Sequence, residues 1–301
     1  RLNLDRTGAS GEAGITTPPA LRWKFFTGGT VESSPSVVSG VLYVGTFDRH
    51  LFALDAETGE EKWRFEVDGL VRGSPSVVDG TVYFGADDSG FFALDAKTGE
   101  PRWTFPLGRV VQQSSAAIAD GAVYFGAFDG NMYALDAGTG RELWRFATGG
   151  VILSSPALTA GMVLFGSGDG LVYALDVLTG ELRWQFATGS AVFSSPAVSE
   201  ELVHIGSDDG SLYGLDLETG DRRWRFETGA EVFSSPAVAD GRVYVGSNDG
   251  SIYALEAATG HLAWATDLKG AVFSSPAVIG SHVYVGSTDG NLYALDRSSG
   301  V

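Results

Sequence analysis

The sequence predicts an all-β fold, a seven-bladed β-propeller of four-stranded antiparallel blades. Three observations predict it. Trp23, Trp63, Trp103, Trp144, Trp184, Trp224 and Trp264 recur 40, 40, 41, 40, 40 and 40 residues apart, and they are all the tryptophans of the chain. Each period holds four short apolar runs that alternate with period two, too short for helices. Turns rich in glycine, of which there are 42 in 301 residues, separate the runs. Four antiparallel strands in a repeat of about forty residues make a propeller blade.

Residues 234–268 illustrate one repeat. Pro236-Ala237-Val238 is a short first strand and Val243-Tyr244-Val245 an alternating second strand. Asn248-Asp249-Gly250 is a hairpin turn, its glycine free to take positive φ. Ile252-Tyr253-Ala254-Leu255 is the third strand. Ala258-Thr259-Gly260 turns the chain into the fourth, His261-Leu262-Ala263-Trp264. Other marks keep step. A Ser-Ser-Pro-like triplet opens every repeat, from Ser33-Ser34-Pro35 through Gly73-Ser74-Pro75 and Ser114-Ser115-Ala116 to Ser274-Ser275-Pro276. A glycine follows each second run, as at Gly45, Gly126, Gly246 and Gly286. An acid ends each third run, as at Asp55, Asp176, Glu256 and Asp296.

The fourth strands do not balance. Seven first, second and third strands are present, but only six fourth strands follow a third. Leu21-Arg22-Trp23-Lys24-Phe25 has the fourth-strand pattern with no blade before it. It is expected to pair with the third strand around Leu292–Leu295, closing the propeller with an N-terminal strand that completes the last blade and covers an open edge. Residues 1–20 read as an N-terminal surface tail and 21–301 as a single propeller domain.

The formal charge is −17 and the pI about 4.5. Such a surface repels phosphate backbones, so nucleic acid is not an expected partner. No run of eighteen apolar residues exists, so no transmembrane segment is expected. No cysteine is present, which excludes disulfides and thiolate chemistry. A monomeric domain is expected.

The unit Ser-Ser-Pro-Ala-Val, Val-Tyr-Val-Gly-Ser, Asp-Gly, Leu-Tyr-Ala-Leu-Asp, Thr-Gly and Trp resembles the PQQ-like, or quinoprotein-type, propeller repeat. Residues 274–296 carry it almost unbroken, and the resemblance covers residues 21–301. Tryptophan is followed by x-Phe, as in Trp63-Arg64-Phe65, and not by Asp as in WD40 repeats. The resemblance implies that the tryptophans dock each blade on its neighbour. Catalytic members of the family are dehydrogenases that hold pyrroloquinoline quinone (PQQ) and Ca²⁺. Non-catalytic members include the lipoprotein subunit of the bacterial outer-membrane assembly machinery and sensory domains of membrane-bound Ser/Thr kinases. The resemblance therefore implies a bacterial, extracytoplasmic setting, in the periplasm or cell envelope.

Those dehydrogenases cap the quinone with a disulfide of adjacent cysteines and build their site from long insertions. This chain has neither. The expectation is a non-catalytic binding or scaffold domain with no cofactor, PQQ and Ca²⁺ both being disfavoured, and no metal. Two alternatives stand beside it. One is a PQQ-dependent or carbohydrate-active enzyme domain. The other is an engineered or recently amplified repeat, since blades four to seven are so alike.

Chemistry-bearing residues fit structural roles. The Asp-Gly pairs at Asp129, Asp169, Asp209, Asp249 and Asp289 could ligate calcium, but Asp-Gly is a favoured hairpin turn and one carboxylate per turn falls short of six to eight oxygens. Acids such as Asp55 and Asp176 suit caps for turn backbone. His50, His204, His261 and His282 share no repeat position; His204 replaces a second-strand tyrosine and reads as core. The Ser-Ser-Pro serines have no recurring histidine to activate them.

One repeat position varies in a patterned way. The residue before the Ser-Ser step is Glu32, Arg72, Gln113, Leu153, Phe193, Phe233 and Phe273. Propeller geometry puts it at the mouth of a central channel, polar in three blades and apolar in four. The turn after the second strand departs from Asp-Gly in the first two blades only, at Asp48-Arg49-His50 and Asp88-Ser89-Gly90, and one residue is inserted near Val110–Gln113. These seven mouth residues, with Asp48, Arg49 and His50, form the candidate site for a protein, peptide or small ligand. The competing reading has the phenylalanines plugging the channel as core.

Overall fold

Period-two alternation in Val243-Tyr244-Val245 becomes the strand Arg242–Gly246. It pairs antiparallel with Ala237–Ala239 on one side and Ser251–Glu256 on the other, and Leu262–Asp267 completes the sheet. In this computed structural model, which describes residues 9–10, 20–107 and 114–301, the same first-to-fourth order recurs in the first six blades. The described residues form seven four-stranded sheets and no helix. The fold class is that of a seven-bladed β-propeller.

The chain divides into two compact units. The first three blades lie in Thr17–Ala147 with Val151–Leu153; the last four lie in Ser154–Val301 with Thr148–Gly150 and Arg1–Thr16. Within each unit the core sits between successive blades. Leu164, Ala174 and Trp184 of the fourth blade pack against Val203, Ile205 and Leu215 of the fifth. Tyr43, Leu51 and Ala53 of the first pack against Val82, Phe84 and Leu94 of the second. Side chains alternating along a strand face both neighbours, so a blade is apolar on two faces and its strands read as nearly continuous apolar runs.

Three devices join consecutive blades. The first is the tryptophan. The indole Nε1–H of Trp63 donates to Ala96 O at 3.1 Å, that of Trp184 to Leu217 O at 3.0 Å and that of Trp224 to Ala257 O at 2.9 Å. Each ring covers the glycine of the next blade's Thr-Gly turn. Gly260 has φ +71°, and a Cβ there would lie 2.6 Å from the Trp224 ring, so both backbone conformation and space require glycine. The second device is a knob in a hole: Val272 lies over Gly246, where a Cβ would approach its Cγ1 to 2.2 Å. The third is the Ser-Ser step. Ser194 Oγ accepts from Gly206 N at 3.1 Å and donates to Ser234 O of the next blade at 3.1 Å. Ser195 N donates to Ser235 Oγ at 2.9 Å. These serines are hydrogen-bonding staples, as expected of residues without an activating base.

The last blade departs from expectation. Leu21–Phe25, expected as a strand, is not one among the described residues, and within its own unit the last sheet ends at Leu292–Asp296. An N-terminal strand does bring this sheet to four, but it is Ala9–Ser10, parallel to the first strand Ala277–Ile279 at the opposite edge. Part of the expected surface tail is therefore sheet. Trp23 nevertheless occupies a docking position: its Nε1 donates to Ala56 O at 3.1 Å, and its ring covers Gly59. The apolar pattern of the segment reports the blade it faces, not the strand it pairs with.

Candidate functional site

Three of the seven residues at the varying position form one aromatic row. Phe193 and Phe233 lie 5.6 Å apart between ring centroids, and Phe233 and Phe273 meet edge to face at 6.2 Å. Phe233 is 37 % and Phe273 50 % exposed, and Phe193 is half-buried. They are not core. Each is carried between a fully buried valine (Val192, Val232 or Val272) and a serine staple (Ser194, Ser234 or Ser274). The backbone under the rings is thus held from both sides.

Polar groups flank the row. Asp208 N donates to Ala191 O, two residues before Phe193, and Asn248 N donates to Glu231 O, two residues before Phe233. The Oδ1 atoms of Asp208 and Asn248 are buried without a hydrogen-bond partner. Burial, with the charges of Glu231 and Asp209 added, raises the Asp208 pKa above the usual carboxylate range. The surface combines apolar rings, negative charge and unsatisfied acceptors.

Glu32 and Arg72 lie in the other unit and form a network of their own. Arg72 binds Asp87 Oδ2 through Nε at 2.7 Å, reaches Glu32 at 3.6 Å and stacks its guanidinium over the Phe47 ring at 4.6 Å. Leu153 is half-buried beside Ile152, which fills the hole at Gly126. Gln113 and the inserted residue lie outside the described residues. Asp48, Arg49 and His50 form a self-contained turn: Asp48 accepts from Thr46 Oγ1, His50 Nδ1 lies 2.9 Å from Asp48 O, and the His50 ring stacks on Phe52. Arg49 is exposed and pairs loosely with Glu66 at 3.5 Å.

Asp87, Phe47, Asp208 and Asn248 were not singled out from the sequence, yet they share one repeat position, two residues after the second-strand glycine. That position varies from blade to blade as Phe47, Asp87, Phe128, Gly168, Asp208, Asn248 and Thr288, so the same internal comparison could have found it.

The remaining candidates are engaged structurally. Asp249 Oδ2 accepts from Tyr253 at 2.7 Å and from Gly229 N at 2.7 Å, and its Oδ1 accepts from Ser251 N. Asp55 Oδ1 caps the turn through the N–H groups of Glu57 and Thr58, both at 3.0 Å. His204 is fully buried against Trp224, bonded through Nε2 to Ser199 Oγ at 2.7 Å, and burial pulls its pKa down to about 3. It is a neutral core histidine. Two open clefts, of about 560 and 640 Å³, are lined by residues such as Trp23, Asp55 and Lys62, and by Asp68, Asp88 and Phe92. No phenylalanine of the row lines either.

Residues 89–301 match the sequence family described as Beta-alanine-activating enzyme, beta-propeller. The chain belongs to this propeller family. Residues 16–145 of this PQQ-like propeller also match the family of Outer membrane protein assembly factor BamB. No curated protein matches the sequence. Solved structures share the propeller fold at low identity. BamB from Moraxella catarrhalis is 22 % identical, with a TM-score of 0.79 over 91 % of this chain and 85 % of its own. A quinohemoprotein alcohol dehydrogenase from Pseudomonas putida is 17 % identical, with a TM-score of 0.86 over 99 % of this chain and 70 % of its own. The computationally designed Ika8 protein is 22 % identical, with a TM-score of 0.77 over 88 % and 83 %. No helix among the described residues is long and apolar enough to cross a membrane.

Proposed function

We propose that this propeller is a non-catalytic binding module whose Phe193–Phe233–Phe273 row takes an apolar, basic segment of a protein or peptide. The row itself carries the reading. Three neighbouring aromatic rings, two of them more than a third exposed, lie on a backbone held by buried valines and serine staples. Rigid aromatic anchors give contact area at low entropic cost, and exposed apolar rows in soluble domains mark partner sites. Asp208, Glu231 and the buried acceptor of Asn248 supply the complement to lysine, arginine or backbone N–H donors.

Against a quinone and calcium site stand the roles already taken by the candidate ligands. The Asp-Gly carboxylates accept from tyrosine and backbone, and Arg72 is paired with Asp87. No group of three or more His, Asp or Glu converges among the described residues. The match to the BamB family and the likeness to BamB support a cell-envelope setting. The net charge of −17 disfavours nucleic acid.

The test is fluorescence anisotropy with labelled synthetic peptides of Leu/Lys and Leu/Glu composition. Binding of the Leu/Lys set, weakened by salt and lost in Phe233→Ser, is expected. Equal binding of both sets, or binding unchanged by Phe233→Ser, overturns the reading.

A further inference from the structure

The position two residues after the second-strand glycine is held alike in both units. The N–H of Asp87 donates to Leu70 O and that of Asp208 to Ala191 O, both at 2.9 Å. The sixth blade repeats the bond, from Asn248 N to Glu231 O at 2.9 Å. In each case the accepting carbonyl lies two residues before the varying residue of the Ser-Ser step, which is Arg72, Phe193 or Phe233. A fully buried valine stands between the two: Val71, Val192 or Val232. One backbone frame therefore carries different side chains from blade to blade.

The second blade shows how an acid on this frame is satisfied. The Arg72 guanidinium donates through Nε to Asp87 Oδ2 at 2.7 Å and lies 4.6 Å over the ring of Phe47, which occupies the Asp87 position one blade earlier. A planar cation is held between a carboxylate and an aromatic face. In the fifth blade the acid is kept and the cation is not. Phe193 stands where Arg72 stands, and Asp208 accepts no hydrogen bond from the described residues; its Oδ1 is buried without a partner. The charged groups that act on Asp208 are Glu231, on the segment leading into the sixth blade, and Asp209, on its own turn; both are acidic. The aromatic faces are still present, in Phe193 and Phe233 with their centroids 5.6 Å apart. A buried acceptor without a donor costs free energy that a bound donor returns.

We propose that Asp208 is the specificity-determining residue of the phenylalanine row, and that it takes an arginine guanidinium of the partner segment, laid against a ring of the row as Arg72 is laid against Phe47. This rests on the row being the binding surface and adds which side chain the partner carries. Guanidinium rather than ammonium follows from the Arg72 arrangement. A planar cation stacks its face on a ring while its edge donates to a carboxylate, whereas an ammonium is a compact, strongly hydrated point charge. Of the last four blades only the fifth has an acid at this position, the others carrying Gly168, Asn248 and Thr288. The cation is therefore read at one place along the row and not along its length. Burial and the neighbouring acids raise the Asp208 pKa, which makes the contact pH-dependent. Above the raised pKa the carboxylate holds the guanidinium; below it the neutral carboxyl releases it.

The test is fluorescence anisotropy with three labelled leucine-rich peptides that differ in one residue: arginine, lysine or citrulline. Citrulline keeps the planar end of arginine and drops its charge. Wild type should bind the arginine peptide about tenfold more tightly than the citrulline peptide, with the lysine peptide between them. Asp208→Asn places on this frame the same amide that Asn248 carries in the next blade, so the fold accommodates it. It should bind all three peptides alike, with the affinity of wild type for citrulline. Acidification from about pH 7 to about pH 4 should erase the arginine preference of wild type, and Asp208→Asn should have no preference to lose. Equal affinity of wild type for the arginine and citrulline peptides overturns the proposal and leaves the row standing as a binding surface. A preference for arginine that persists in Asp208→Asn overturns it in the same way. Failure of wild type to bind any of the three overturns the row itself, and the role of Asp208 with it.

Discussion

Tyr253 donates its phenolic proton to Asp249 Oδ2, four residues earlier, at 2.7 Å. The same pair is built in five consecutive blades, with Tyr133–Asp129 at 2.6 Å, Tyr173–Asp169 at 2.7 Å, Tyr213–Asp209 at 2.5 Å and Tyr293–Asp289 at 2.5 Å. The two blades whose turns depart from Asp-Gly carry Phe52 and Phe92 instead. In those two blades the acid remains, as Asp48 and Asp88, so the tyrosine accompanies the Asp-Gly turn and not the carboxylate alone.

This pair makes stability sensitive to alkali. Burial, then the Asp249 carboxylate, pushes the Tyr253 phenol up to about 12, and the matching arrangements push Tyr133 and Tyr213 up to about 12. An unfolded phenol titrates near 10. A raised folded pKa contributes stability that is complete below about pH 10 and is lost as pH rises toward 12. Tyr253→Phe should therefore be less stable than wild type at pH 8, and the gap should close between pH 10 and 12. Urea midpoints across that range check it; a constant gap contradicts the linkage.

Trp224→Ala removes a buried ring, its bond to Ala257 O and the cover over Gly260. The expected loss is about 3–5 kcal/mol, the range for deleting a large aromatic core residue. Equilibrium denaturation measures it, and a loss below about 1 kcal/mol would contradict interblade docking.

Gly246→Ala and Gly286→Ala make the same chemical change in two environments. At Gly246 the new methyl meets Val272 Cγ1 at 2.2 Å; at Gly286 the nearest atom is 3.5 Å away. Overpacking at Gly246 should cost about 1–3 kcal/mol. Gly286→Ala, whose methyl meets only Ser274 of its own blade, should cost less. Equal effects in calorimetry would refute the knob-in-hole account.

Arg72→Ala takes the cation from Asp87, whose side chain is only 9 % exposed, and should lower stability by about 1–3 kcal/mol. Glu32→Gln touches a more exposed pair at 3.6 Å and should stay within about 0.5 kcal/mol of wild type. Thermal melts of the two variants compare them directly. A neutral Arg72→Ala would show that Asp87 is held by its other contacts.

Much of the blade was legible because its signals are local. Asn248-Asp249-Gly250 announced its hairpin, since the turn geometry needs a positive φ at glycine. Asp55 announced its cap, since its acceptors are two and three residues away. Leu21–Phe25 misled for the converse reason. Trp23 and Phe25 are patterned for the blade they face, which they do pack against, whereas strand pairing is made by backbone groups that carry no pattern. Ala9–Ser10 shows the same blindness, being a parallel pair of two residues with nothing apolar to mark it.

The sequence by itself determined the number of blades, the strand order within the first six and the forty-residue spacing of the tryptophans. All of these follow from side-chain alternation and turn chemistry within forty residues. Only the tertiary structure decided that Phe233 and Phe273 stand exposed while Val232 and Val272 beside them are buried, and that Arg72 belongs to Asp87. Burial and charge pairing depend on which atoms of a neighbouring strand or blade come within contact distance, and a residue's type does not say which neighbour it will meet.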